Sequence, residues 1–352
     1  LYVNENFQQN VGMGAGDRGW DVSRRQSFCR YRIMKISHLL TRLVDAGLWV
    51  FGEISYLFFR LIGWRKISLM GRFLGRVIYH INATNKESLA KEISGILKDE
   101  KNKEEIMKAT KKCFENHYAR IIETLFFGRL SKEILAEMIE VRGIENINKA
   151  LSYGNGVILL LAHFGSFLLP LPYLGYEGYK VNQLTGKQRH KSLIDERLWV
   201  WRKRDADSLP VKYIQAERFL RPMLQALKNN EILSIAFDGR DGSNWTPVNF
   251  LGRKAMFSSG PFRLARKTGA SIIPTFVVRN SDDTHLLIFE KPFDLPQTAF
   301  FDLKKTAAYD IGRYAEFFSD YVKRYPCHFG MTLLKHRFQA SEDYPQLFVD
   351  EG

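Results

Sequence analysis

The sequence is poor in several features that mark common protein classes. Only three cysteines occur in 352 residues, Cys29, Cys113 and Cys327, and their scatter does not make a disulfide framework. A reducing, cytoplasmic setting is the expectation. The most apolar amino-terminal stretch, Leu39 to Gly63, holds no uncharged run long enough to span a bilayer, because Arg42, Asp45, Glu53 and Arg60 interrupt it. Zinc-finger spacing, an RNA-binding aromatic signature and a glycine-rich nucleotide loop are all missing. The Gly-x-Ser-x-Gly elbow of serine hydrolases is missing too, and Ser166 is no substitute, being too close along the chain to His163 to be aimed at its ring. No internal repeat or low-complexity segment is evident. Acidic residues are outnumbered, with 38 Asp and Glu against 52 Lys and Arg, a net charge of +14. That excess suits an anionic membrane, an acidic carrier protein or nucleic acid, and the missing motifs make nucleic acid the weakest of the three.

What is present starts with the run VILLLAHFGSF, Val157 to Phe167. Aliphatic residues at every position read as a strand buried on both faces, with glycines 156 and 165 supplying turns at its ends. His163 then stands at the carboxyl end of a central strand, where open α/β sheets place their chemistry. Its imidazole can take a proton near neutral pH. A second buried run, Ile232 to Phe237, ends at Asp238-Gly239, so Asp238 also falls at a strand's carboxyl end. A His163–Asp238 pair is one reading of it. The other is an ordinary Asp-Gly turn.

Further along, strand-like and helical runs alternate: strands at 180–184, 211–214, 232–237, 270–278 and 285–290, helices from about His190, Ala216, Ser259 and Leu303. The alternation predicts an α/β fold, a mainly parallel central sheet covered by helices, with residues 86–150 helical before it. Pro170 and Pro172 argue against a regular helix just after His163. The charged segment from Lys98 reads as a solvated helix face. Cys113 and His117, four apart, lack the further ligands a metal site needs. The high aromatic content, 13%, suits a membrane surface or an acyl pocket.

The segment GNGVILLLAHFGSF resembles the signature block of the lauroyl/myristoyl lipid A biosynthesis acyltransferase family, within the glycerolipid acyltransferase superfamily. The resemblance continues in order through TGKQRHKSLIDERLWVWRKR and ILSIAFDGRDGSNWTPVNFLGRKAMFSSGPFRLARKTGASIIPTFVVR, covering roughly Met34 to Arg337. It implies an acyltransferase-like fold and transfer of a fatty acyl group from an acyl-carrier-protein or acyl-CoA thioester to a hydroxyl or amine of a glycolipid such as a lipid A precursor. His163 would be the general base, at the cytoplasmic face of the inner membrane, with no metal or bound cofactor. The superfamily motif has Asp or Glu five residues after the histidine. This chain has Leu168 there. Related members carry an acid in the third block near the histidine, which gives Asp238 that role. The alternative is a catalytically disabled relative that binds lipid or acyl carrier.

Other roles follow from the same resemblance. Ser258, Ser259 and Gly260 open the fourth-block helix, where backbone N–H groups can receive a phosphate or an oxyanion, or simply form a serine cap before Pro261. Arg240 and Arg253 flank the third block as acceptor-phosphate contacts. Lys187, Arg189 and Lys191 form a basic strip for an acidic acyl carrier protein, or a solvated loop.

Four regions are expected. Residues 1–33, polar and glycine-rich, begin at Leu1 without a methionine and read as an extension or disordered lead; 86–337 form the α/β domain; 338–352 are a tail. Residues 34–85 are membrane-associating helices, with apolar positions at 39/40, 43, 47, 50/51, 54, 57/58 and 61 at helical spacing, as in an interfacial helix. Arg60, Arg65, Lys66, Arg72 and Arg76 follow as a basic cluster for anionic headgroups. A helix packed on the domain's own core is the competing reading.

Overall fold

The computed structural model describes residues 46–47, 49–54, 57–58, 61–97, 102–186, 200, 203–215, 220–239, 245–296, 303–338 and 346–349. Contacts divide the chain into residues 1–55 and 56–352. In the first unit the described residues are helical, and Trp49, Val50, Phe51 and Ile54 are exposed. The second unit carries the fold.

The second unit begins with a helical layer. Helix α1 (Trp64–Ile81) buries Trp64, Ile67, Ser68, Gly71, Gly75 and Tyr79, a stripe at three- and four-residue spacing. It lies on α3 (Lys103–Glu123), with α2 (Ala83–Leu97) between them in sequence. Gly71 and Gly75 let the two backbones nearly touch: a Cβ on Gly75 would stand 2.6 Å from Phe114 O, and one on Gly71 would run into Ala119. A reciprocal cap between Asn102 and Glu105 starts α3, satisfying two otherwise orphaned N–H groups.

The outward side of α1 is apolar. Leu69, Met70, Phe73, Leu74, Val77 and Ile81 are exposed, Phe73 by 67% and Ile81 by 75%, as are Leu57, Phe58 and Leu61 before the helix. The expected headgroup cluster is smaller than the sequence suggested. Arg72 ion-pairs with Asp283 at 3.0 Å and Glu115 at 3.6 Å, and Arg76 with Glu115 at 2.8 Å. The reason is periodicity: positions 68 and 72 fall on the packed side with the two glycines, whereas Arg76 stays exposed beside Glu115. Arg65 and Lys66 stay exposed as well, and Arg60 lies outside the described residues.

A six-residue 3-10 turn (Thr124–Arg129) and α4 (Lys132–Met138) lead into the sheet. Its strands are β1 (Ile139–Arg142), β2 (Val157–Leu161), β3 (Val181–Thr185), β4 (Lys212–Gln215), β5 (Ile232–Ala236), β8 (Ser271–Arg279) and β9 (His285–Phe289), in the order β1-β9-β8-β2-β5-β3-β4. Every neighbouring pair is parallel except β8 with β9. The mainly parallel sheet is as expected, and so is the burial of all of β2. Its side chains divide between two cores: Ile158 and Leu160 join one cluster, Val157, Leu159 and Leu161 the other. The covering helices are α5 (Ile144–Leu151), α6 (Pro170–Tyr176), α7 (Leu220–Lys228), α8 (Gly260–Thr268), α9 (Leu303–Arg324) and α10 (Pro326–Phe338).

Four expectations need correction. Residues 139–142, read as helical, form edge strand β1, too short for periodicity to reveal. An antiparallel hairpin, β6 (Trp245–Phe250) with β7 (Arg253–Ser258), precedes α8 and was not anticipated. Its two-residue turn places Leu251 at φ 55°, where a leucine gives no turn signal. A helix does follow His163, because Pro170 and Pro172 sit in the first turn of α6, where a missing N–H loses no hydrogen bond. Finally, much of the aromatic content is core: Phe164, Phe237, Phe250, Phe257, Phe276 and Phe318 form one buried cluster with mutual ring contacts.

Candidate active site

The pairing of β2 with β5 sets the geometry. Their register places Val157 opposite Ile232 and Leu161 opposite Ala236. Phe237 N–H donates to Leu161 O at 2.7 Å, carrying the ladder one step further. Two residues beyond each strand, His163 therefore faces Asp238. Asp238 Oδ1 lies 3.0 Å from His163 Nδ1 and also accepts the His163 backbone N–H at 3.0 Å. The carboxylate side chain is fully buried, while the imidazole keeps 37% exposure. A carboxylate can only accept, so Nδ1 carries the proton and Nε2 is left with a lone pair. That arrangement suits a base whose other nitrogen is held in place.

The turn beyond the histidine is fixed from several sides. Thr332 Oγ1 on α10 donates to His163 O at 2.8 Å. Gly165, at φ 57°, donates its N–H to His328 O at 3.0 Å, and its missing Cβ leaves room for Val277 O. His328 Nε2 in turn accepts Arg279 N–H at 2.9 Å. Phe164 stacks on the His328 ring at 5.3 Å, and Phe167 sets its ring against His163 at 4.6 Å. Thr332 and His328 gave no signal in the sequence, because α10 lies far along the chain.

Leu168, at the position of the motif acid, lines a narrow cleft with Arg120, Glu123, Thr124, Phe127, Ser166 and Phe167. The cavity is about 10 Å³, room for a single water. Arg120 lies 5.5 Å over the Phe167 ring and contacts His117 Nδ1 at 3.2 Å. His117 thus faces Arg120, whereas Cys113 contacts Pro326 O at 3.8 Å on α10.

A second polar group lies behind this cleft. Arg279 Nη2 reaches Glu123 Oε2 at 2.6 Å, and Ser68 Oγ donates to Glu123 Oε1 at 2.5 Å. Ser166 Oγ is 3.0 Å from His285 Nε2 and 3.4 Å from Glu123 Oε2. Burial opposes the Glu123 charge, yet Arg279 outweighs it and holds the carboxyl at about 2. For His285, burial and then Arg279 push the imidazole down to about 3, so it is neutral. Burial, followed by Arg279, does the same to His328, also to about 3.

Ser258 ends β7 rather than opening a helix, and its Oγ accepts Gly260 N–H at 3.3 Å. Ser259 takes the N-cap position of α8 without a side-chain cap bond, with Pro261 in the first turn. Arg253 pairs with Glu92 at 2.8 Å and lies 3.6 Å over the Phe348 ring. Arg240, Lys187, Arg189 and Lys191 lie outside the described residues, as do Cys29 and the helix expected from His190.

Comparison with known proteins gives a consistent likeness. The family model described as bacterial lipid A biosynthesis acyltransferase matches residues 33–339. The chain is 23% identical over 248 residues to the lipid A biosynthesis palmitoleoyltransferase of Escherichia coli (strain K12), covering 70% of this chain and 76% of that protein. It has the same identity and coverage against the lipid A biosynthesis acyltransferase of Shigella flexneri.

Proposed function

The chain belongs to the bacterial lipid A biosynthesis acyltransferase family, and on that premise we propose that His163 and Asp238 are its base and orienting acid. The acyl group comes from an acyl-carrier-protein or acyl-CoA thioester and goes to a hydroxyl, or an amine, of a glycolipid such as a lipid A precursor. His163 Nε2 takes the acceptor proton as the acceptor oxygen attacks the thioester carbonyl carbon. The tetrahedral intermediate then expels the thiolate, the C–S bond breaks, and the imidazolium returns the proton to sulfur. Asp238 keeps Nδ1 protonated and steadies the imidazolium as it forms.

The observation that carries this reading is the 3.0 Å contact between a half-exposed imidazole and a buried carboxylate at adjacent strand ends. It also accounts for Leu168, since Nδ1 already has its acid. Substrate contacts are proposed at Arg240, Arg253, Ser258, Ser259, Gly260, Lys187 and Arg189; Arg253 would have to exchange Glu92 for a phosphate.

Membrane contact is proposed for residues 34–85 at the cytoplasmic face of the inner membrane. No described helix is long and apolar enough to cross a membrane. The exposed apolar side of α1, with Arg65 and Lys66 near its start, has the make-up of an interfacial helix.

The test is acyl transfer from labelled acyl carrier protein to total membrane lipid extract, with products read by mass spectrometry. A product made by the native protein and lost with His163→Ala supports the proposal, and its mass identifies the acceptor. No product across a panel of acyl-carrier-protein and acyl-CoA donors would replace it with a lipid- or carrier-binding role.

A further inference from the structure

Two of the three cysteines meet away from the active site. Cys113 Sγ on α3 lies 3.8 Å from Pro326 O, and Cys327 Sγ on α10 lies 3.4 Å from Ala109 O. Each sulfur thus reaches the backbone of the opposite helix, Cys113 beside the residue that precedes Cys327 and Cys327 beside a residue one turn before Cys113, so the two thiols are neighbours. Gly330 permits this approach, since a Cβ there would stand 3.0 Å from Cys113 Sγ. Cys113 is buried and Cys327 is partly exposed.

The two sulfurs differ chemically. Cys327 follows Pro326 in the first turn of α10, where free N–H groups and the helix dipole favour a negative sulfur. The neighbouring Cys113 thiol, and then Lys112, lower its thiol against the effect of burial. Burial pushes Cys113 well up, so it stays a protonated thiol beside its partner. A partly exposed thiol held below its ordinary range, with a buried resolving thiol beside it, is the arrangement of a redox-sensitive pair.

The helix that carries Cys327 also holds the active-site turn. Thr332 Oγ1 binds His163 O, and His328 O accepts Gly165 N–H. We propose that Cys113 and Cys327 are a peroxide-oxidisable pair whose disulfide draws the start of α10 against α3 and disturbs the His163 turn. The Cys327 thiolate attacks a peroxide oxygen, the O–O bond breaks, and with one proton taken up the products are a sulfenic acid and water. The Cys113 sulfur then attacks the sulfenic sulfur, releasing a second water as the S–S bond forms. Two thiols are oxidised and one hydrogen peroxide is reduced.

The full chain carrying Cys29→Ser is treated with hydrogen peroxide and followed by intact mass, peptide mapping and the transfer assay. The expected result is a mass loss of about 2 Da with the Cys113 and Cys327 peptides joined. Transfer should fall about a hundredfold and return with dithiothreitol, as for a displaced reacting group. Cys327→Ser should resist both changes, and Cys113→Ala should stop at oxygen addition on Cys327. Unchanged mass, or oxygen addition without linkage in the Cys29→Ser protein, overturns the pair. Linkage with undiminished transfer overturns its effect on the turn. Only the rate measurement rests on the acyltransferase reading, so the mass result stands if that reading fails.

Discussion

Two histidine–carboxylate groups lie within a few residues of each other, and they differ in every respect that bears on chemistry. His163 is half-exposed, and its Nδ1 faces a carboxylate. His285 is wholly buried, its Nε2 is taken by Ser166, and its Nδ1 has no partner. The acids differ as well. Asp238 faces an imidazole, whereas Glu123 is held by the Arg279 guanidinium. A carboxylate already bound to a buried cation has little charge left for stabilising an imidazolium. Residue types alone would not rank the two groups; exposure and the identity of the acid's partner do.

The largest expected effect separates the groups by activity. Asp238→Asn should lower transfer about ten-thousand-fold with folding intact, the scale seen when an orienting acid is lost. Ser166→Ala, in the buried group, should change the rate by less than about tenfold, because Ser166 acts only through packing and hydrogen bonds. Equal losses from both variants would abolish the distinction.

Stability should show the reverse order. Arg279→Met leaves Glu123 buried with its charge uncompensated, and a loss of about 3–5 kcal/mol is expected in urea unfolding. His163→Gln, at a half-exposed position, should cost less than about 1 kcal/mol in the same measurement. A large loss from His163→Gln would recast that histidine as structural.

Acid provides a finer test. His285 and His328 are neutral when folded, with values near 3, and the unfolded chain protonates them near 6.5. Their contribution is present above about pH 6.5 and is lost as pH falls toward about 3. Each should remove about 1.4 kcal/mol per pH unit in that window. Glu123, held at about 2, adds its own loss only below about pH 4.5. The urea midpoint between pH 7 and 5 should therefore fall less in His285→Gln than in the native protein.

The smallest effect belongs to Leu168. Leu168→Glu restores the motif acid, but Asp238 already occupies Nδ1, so transfer should change by less than about fivefold. A hundredfold gain would show that Asp238 is a poor substitute.

The sequence by itself determined the alternation of strands and helices, the burial of β2, and the placing of His163 and Asp238 at strand ends. These are local matters: apolar runs bounded by turn residues bury themselves wherever they fold. It could not show that β2 and β5 are neighbours in register, because strand order depends on which crossovers pack best over the whole sheet. The same holds for Thr332 and His328 at the His163 turn, and for Arg72 and Arg76, whose partners on α3 and after β8 lie far along the chain. Tertiary structure decided those, since only three-dimensional packing brings a hydrogen-bond partner 169 residues away within 2.8 Å of the histidine carbonyl.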